Sequence, residues 1–172
     1  MYRIGYAPGA FDLFHIGHLN LLRRAKDQCD FLIAGVVSDE VLIAHKGIIP
    51  IIPLAERLEI VRSIRFVDSA FPAMKNDKLE IWRELRFDVL FKGDDWRGTE
   101  KGDRLERDFA AVGVDVVYFP YTLSTSSSRL RRILNSIEAM ADRFQPIMPP
   151  PIPDVPHALD NLSAPARSER HG

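Results

Sequence analysis

The chain has 172 residues, 46% hydrophobic and 27% charged, which suits one folded domain with a buried core and hardly two. Its 23 basic and 24 acidic residues leave a net charge of -1, so no global field draws it onto nucleic acid or membrane; a small anion needs only a local basic pocket. Cys29 is the only cysteine, which excludes an internal disulfide and a cysteine-based zinc site.

Arg3 to Ala7 reads as a short strand ended by Pro8-Gly9, and Gly17 to Gln28 as a helix with Leu19, Leu22 and Ala25 on one face. Phe31 to Val37 is a continuous apolar run, the pattern of a strand covered on both faces. Helical patterns cover Asp39 to Ala44 and Leu54 to Ser63, Phe66 to Phe71 reads as another strand, and Asp77 to Leu85 as another helix. Val89 to Phe91 and Val114 to Phe119 are buried strands, with a helix from Asp103 to Val112 between them. Ser126 opens a last helix through Leu130, Ile133, Leu134 and Ile137.

This alternation predicts a single α/β domain over residues 1–143: a parallel sheet with right-handed crossovers and helices on both faces. Ligands of such folds bind at the carboxyl ends of the strands, so the loops after Ala7, Val37, Phe91 and Phe119 share one rim. Residues 144–172 are different in kind. Gln145 to Gly172 holds seven of the twelve prolines and a polar end, a composition that predicts a disordered or polyproline-like tail. The start, Met1 to Tyr6, lacks a signal-peptide pattern, and no apolar run approaches the roughly 20 residues that span a bilayer. A cytoplasmic protein with no nucleic-acid or membrane partner is expected.

The chemistry gathers at the first loop. His15 and His18 stand three apart where a helix begins after a strand and a glycine-containing turn, which places both imidazoles on one side. The free N–H groups and the dipole of that first turn point the same way, making a site for phosphate oxygens. Gly9 lets the backbone approach a ligand, Gly17 removes a side chain between the histidines, and Asp12 caps the turn or positions His15. A metal pair is the other use of two such histidines, but no third ligand stands in a fixed motif. The dinucleotide pattern G-x-G-x-x-G is absent.

The segment Gly9-Ala10-Phe11-Asp12 through His15-Ile16-Gly17-His18 resembles the signature of the cytidylyltransferase-like nucleotidyltransferases. Ser38-Asp39-Glu40, Lys46-Gly47, Glu56-Arg57, Arg65-Phe66-Val67-Asp68 and Gly93-Asp94-Asp95-Trp96 follow in that superfamily's order, over about residues 2 to 135. Gly93-Asp94-Asp95-Trp96 and Arg65-Phe66-Val67-Asp68 most resemble glycerol-3-phosphate cytidylyltransferase, an enzyme of bacterial teichoic-acid precursor synthesis; Lys46-Gly47 is also similar to the choline- and ethanolamine-phosphate enzymes. The resemblance implies a Rossmann-like fold and transfer of CMP from CTP to a small phosphorylated alcohol, with pyrophosphate released. His15, His18 and Lys46 would be catalytic. Gly9, Ala10, Phe11, Asp12, Arg65, Asp94, Asp95, Trp96, Tyr121, Thr122, Ser126, Ser127 and Arg129 would bind the nucleotide, and Lys46, Arg57 and Lys78 the acceptor. Mg²⁺ would bridge the phosphates without a dedicated protein cage, and relatives imply a homodimer. Trp96 offers a base-stacking or packing face, and Gly93-Asp94-Asp95-Trp96 favours cytosine, since adenylyl-transferring relatives carry Gly-Gly-Asp there.

The sequence departs from the family at its second signature, approximately Arg-Thr-x-Gly-x-Ser-Thr-Thr. Thr122 and Ser126 match, and Ser127 and Ser128 keep hydroxyls, but Tyr121 replaces the arginine and Ser124 the glycine. Tyrosine cannot supply a forked phosphate donor, so Arg129 or another arginine substitutes, or the acceptor differs from glycerol phosphate. A phosphoethanolamine, phosphocholine or phosphonate cytidylyltransferase, an adenylyltransferase, and a nucleotide-binding protein without turnover are the readings left open.

Overall fold

A computed structural model describes residues 1–120, 122 and 125–141. Its elements are β1 (Tyr2–Gly9), α1 (Ile16–Lys26), β2 (Cys29–Val37), α2 (Asp39–Lys46), α3 (Leu54–Arg62), β3 (Ser69–Ala73), α4 (Lys78–Leu85), β4 (Val89–Gly93), a single 3-10 turn (Asp94–Trp96), α5 (Glu100–Ala110), β5 (Asp115–Phe119) and α6 (Ser127–Ala141). Residues 1–136 form one compact unit, and 137–141 continue the last helix. The boundary expected after residue 143 and the proline-rich tail lie outside the described residues. Among the described residues no helix is long and apolar enough to cross a membrane.

The five strands are parallel in the order β3-β2-β1-β4-β5. Alternation along each strand divides the core into two layers. Ala7, Leu32, Ala34, Val36, Val89 and Phe91 pack with Leu22 and Ala25 of α1 and Val61 of α3. Tyr6, Ile33 and Leu90 pack with Ile81 of α4 and with Leu105 and Phe109 of α5. Helices thus cover both faces, as the alternation predicts.

Two strand limits differ from expectation. β1 runs on through Pro8-Gly9, paired with Gly35 and Val36 of β2. Its pairing with β4 is confined to Gly5 and Tyr6, so on that side the ladder has ended before Pro8 and no donor is required. The strand expected at Phe66 to Phe71 begins only at Ser69. Before it, the Val67 N–H closes onto the Ile64 carbonyl, and the Asp68 carboxylate accepts from Leu32 N and Lys26 Nζ, each at 2.7 Å. Residues 64–68 are therefore a pinned turn, and Pro72 is tolerated because β3 is an edge strand.

Candidate active site

His15 is the N-cap of α1. Its backbone is extended (φ -142°, ψ 174°) and its Nδ1 accepts the Gly17 N–H at 3.0 Å. That bond uses the Nδ1 lone pair, so the neutral ring carries its proton on Nε2 as an outward donor. His18, one turn on, stacks against His15 with ring centroids 4.0 Å apart and planes at 26°. Phe11 and Phe14 lie against the His18 ring at 5.4 and 5.5 Å. A Cβ on Gly17 would come within 2.8 Å of His15 Cε1, so only glycine leaves His15 in place.

Burial pushes both imidazoles below their ordinary range. His18 falls to about 3, through desolvation first and repulsion by His15 second, with Asp12 opposing. Both rings are neutral at pH 7 and act as N–H donors rather than cations. His18 Nδ1 is buried with no hydrogen-bond partner among the described residues, a polar atom that a ligand or water would satisfy.

The loop carrying these rings is strained and clamped. Phe11 (φ 52°) and Leu13 (φ 49°) sit in the left-handed region on either side of Asp12. Asp12, expected to touch the nucleotide, is 2% exposed and faces inward. Its carboxylate accepts from Ile52 N (2.9 Å) and Ile51 N (3.1 Å) and pairs with Arg131 of α6, while its carbonyl accepts from the Ser127 hydroxyl at 2.8 Å. Gly9 and Phe11 pack on each other in the same loop. A Cβ on Gly9 would lie 2.9 Å from the Phe11 ring, so the glycine makes room for Phe11.

Arg57, expected at the acceptor, is fully buried. Its Nε donates to the Ile52 carbonyl (2.8 Å), its Nη1 to the carbonyls of Val37 (2.9 Å) and Ala10, and its Nη2 to Asp39. The guanidinium ties the end of β2 and the loop after β1 to the segment that leads into α3, facing the interior rather than the rim. Arg65 is exposed, but α3 runs from those loops back toward the amino end of β3, which leaves Arg65 at the far end of the sheet from His15. It does not stand on the rim with His15 in this chain, where the resemblance puts it.

The second signature meets the first. Thr122 Oγ1 accepts from Asn20 Nδ2 of α1 at 3.4 Å, and its Cβ lies 3.7 Å from a Cβ built on Gly17. Ser126 caps α6 by accepting the Arg129 N–H at 3.2 Å, and Arg129 is exposed. Thr122 thus touches the α1 start, while Ser126 and Ser127 spend their hydroxyls on the α6 cap and on the loop after β1. Tyr121 and Ser124, where the signature departs, lie outside the described residues.

On the other layer a cationic group assembles that sequence reading had seen only in part. Lys46 ends α2, Lys78 begins α4 behind the N-cap Asp77, and Lys92 stands at the end of β4. The ring of Trp96 holds the Lys92 ammonium 4.1 Å and the Lys78 ammonium 5.2 Å from its centroid. Of the base-stacking or packing face expected of Trp96, the structure shows a face packed by two ammonium groups. Burial lowers Lys78, with Lys46 adding to it, and lowers Lys92 to about 7, with Lys78 and Lys46 adding and Asp95 opposing. Asp95 folds back so that its Oδ1 occupies the space a Gly93 side chain would need. Lys92 could have been found: a lysine closing an apolar parallel strand sits on the ligand rim.

No three His, Cys, Asp or Glu side chains converge on a metal site among the described residues. The lysines and donor imidazoles do not fit resident magnesium.

A family model described as cytidylyltransferase-like matches residues 6–133. The chain belongs to this family of nucleotidyltransferases. It is 32% identical over 136 residues to glycerol-3-phosphate cytidylyltransferase of Staphylococcus aureus, covering 76% of this chain and 94% of that one. It is 32% identical over 132 residues to FAD synthase of Pyrococcus abyssi, covering 75% and 88%. The ethanolamine-phosphate cytidylyltransferase of Arabidopsis thaliana is 40% identical over 95 residues, but the match spans 52% of this chain and only 22% of that longer protein. The crystal structure of a lipopolysaccharide core biosynthesis protein from Thermoplasma volcanium superposes with a TM-score of 0.60 at 25% identity, covering 71% of this chain and 98% of that one.

Proposed function

We propose that this enzyme transfers CMP from CTP to glycerol 3-phosphate, giving CDP-glycerol and pyrophosphate. The carrying observation is the division of the rim: neutral imidazole donors and helix starts on one side, three ammonium groups on the other. An acceptor phosphate monoester is largely dianionic at neutral pH, its second pKa being about 6, and needs no general base. Its oxygen attacks the α-phosphorus in line, and the bond to the β-phosphate oxygen breaks. The site must then supply positioning and charge stabilisation. In this reading His15 Nε2–H, His18 and the starts of α1 and α6 hold the triphosphate, with Thr122, Ser126 and Arg129 contributing. Lys46 bridges the α-phosphate and the acceptor, Lys78 receives the acceptor phosphate, and Asp94 and Asp95 serve the cytidine. Mg²⁺ arrives on the triphosphate as part of the substrate. The protein works as a cytoplasmic homodimer.

The whole-length similarity to an FAD synthase favours a second reading, adenylyl transfer from ATP with FAD as product. One experiment separates the two. Pyrophosphate release is measured with CTP and with ATP against polyol, amino-alcohol, sugar and flavin phosphates and phosphonates. Release with CTP and glycerol 3-phosphate is expected; release only with ATP, or only with another acceptor, replaces the reading.

A further inference from the structure

Lys92 has no assigned role and no ordinary structural reason to be where it is. Three ammonium groups meet from three elements, and among the described residues none forms an ion pair within 4 Å. A partly buried lysine among like charges is costly in the free protein and is retained where an anion offsets that cost. The charged groups acting on Lys92 are Lys46 from α2, Lys78 from α4, and Asp95 from the turn that also carries Trp96; Asp77, the N-cap of α4, acts on Lys78. On β5 the register partner of Lys92 is Tyr118, whose phenol is pushed up to about 12 by burial and brings no charge. Asp95 opposes at Lys92 and Asp77 at Lys78, so two carboxylates face three lysines, an excess of basic groups that an anion would satisfy.

We propose that Lys92 is a specificity residue: with Lys46 and Lys78 it forms the subsite for the acceptor's phosphate dianion, and it takes up a proton as that dianion binds. This rests on the acceptor reading above and adds a residue and a coupled proton to it. Lys92 in the free protein titrates near neutrality, so at pH 8 it is mostly uncharged. An arriving dianion raises its pKa, and the proton enters with the ligand. Trp96 holds the ammonium in place through its ring face.

The test is calorimetry of the full chain, titrated at pH 8 with glycerol 3-phosphate and separately with inorganic phosphate. Two buffers of different ionisation heat count the protons. The parent should take up close to one proton per ligand. Lys92→Met should bind about tenfold or more weakly, the scale of one charge-assisted hydrogen bond, and take up none. Lys92→Arg should keep much of the affinity and also take up none. Lys101→Met, on the exposed face of α5, should match the parent in both respects. A structural role for Lys92 would lower the melting temperature of Lys92→Met, whereas loss of a half-buried, crowded charge should leave it unchanged or raised. Phosphate affinity within twofold of the parent, proton uptake that persists in Lys92→Met, or no phosphate binding by the parent would each overturn the subsite. If every acceptor fails to release pyrophosphate while phosphate binding still depends on Lys92 and its proton, the substrate reading falls and the subsite stands.

Discussion

Asp12, in the loop after β1, and Arg131, on α6, form an ion pair across 119 residues of chain. Asp12 is buried, and the same carboxylate holds the amides of Ile51 and Ile52. Removing the arginine leaves a buried carboxylate without its counter-charge. Arg131→Met should therefore cost about 3 kcal/mol in urea unfolding. Faster hydrogen exchange at the first turn of α6 should accompany it. An unchanged midpoint would mean that α6 is held by other contacts.

Gly17→Ala separates the site from the fold. Alanine in place of glycine inside a helix ordinarily stabilises by about 1 kcal/mol. Here the new Cβ would press on the His15 ring at 2.8 Å. Turnover should fall about tenfold or more while the melting temperature holds or rises. Activity equal to the parent would show that His15 can move without consequence.

His18 gives both a rate and a pH prediction. His18→Ala should lose about two orders of magnitude in turnover, the usual scale for a donor to developing charge. Its folded pKa of about 3 lies below the unfolded value near 6.5. Between these limits the unfolded chain binds the extra proton, so stability is full above about pH 6.5 and declines as pH falls toward 3, by at most about 1.4 kcal/mol per pH unit for this group. Chemical denaturation across that window should show a shallower slope in His18→Gln. Equal slopes would locate acid sensitivity elsewhere.

Arg57 tests the revised assignment. Arg57→Lys keeps the charge and loses the fork that reaches Ile52, Val37, Ala10 and Asp39. The variant should be less stable by about 2–4 kcal/mol, in the range for a disrupted buried network. With stability restored by low temperature, the acceptor KM should stay close to that of the parent. A selective rise in acceptor KM with normal stability would return Arg57 to the substrate.

The fold was legible because parallel strands covered on both faces write themselves as apolar runs, as Phe31 to Val37 does. The histidine pair was legible because its spacing and its place after a strand are local properties. What escaped depends on distant partners. Arg57 sits on an amphipathic helix among charged residues, and its burial is decided by carbonyls from three loops. Asp12 looked ligand-facing because its partners, Ile51, Ile52 and Arg131, are remote in sequence. Lys92 fell between an apolar strand read as ending at Phe91 and the motif beginning at Gly93. Strand β3 shifted because a side-chain clamp at Asp68, not propensity, sets its start.

The clamp on Asp12 has a consequence for the order in which the protein becomes competent. Both histidines leave the ribosome early, yet the loop that presents them is closed by amides at residues 51 and 52 and by a guanidinium at 131. A nascent chain carries the recognisable signature long before it carries a finished site. The loop is therefore not closed until the sixth helix has emerged, and a fragment ending short of it would carry the motif without the clamp that shapes it.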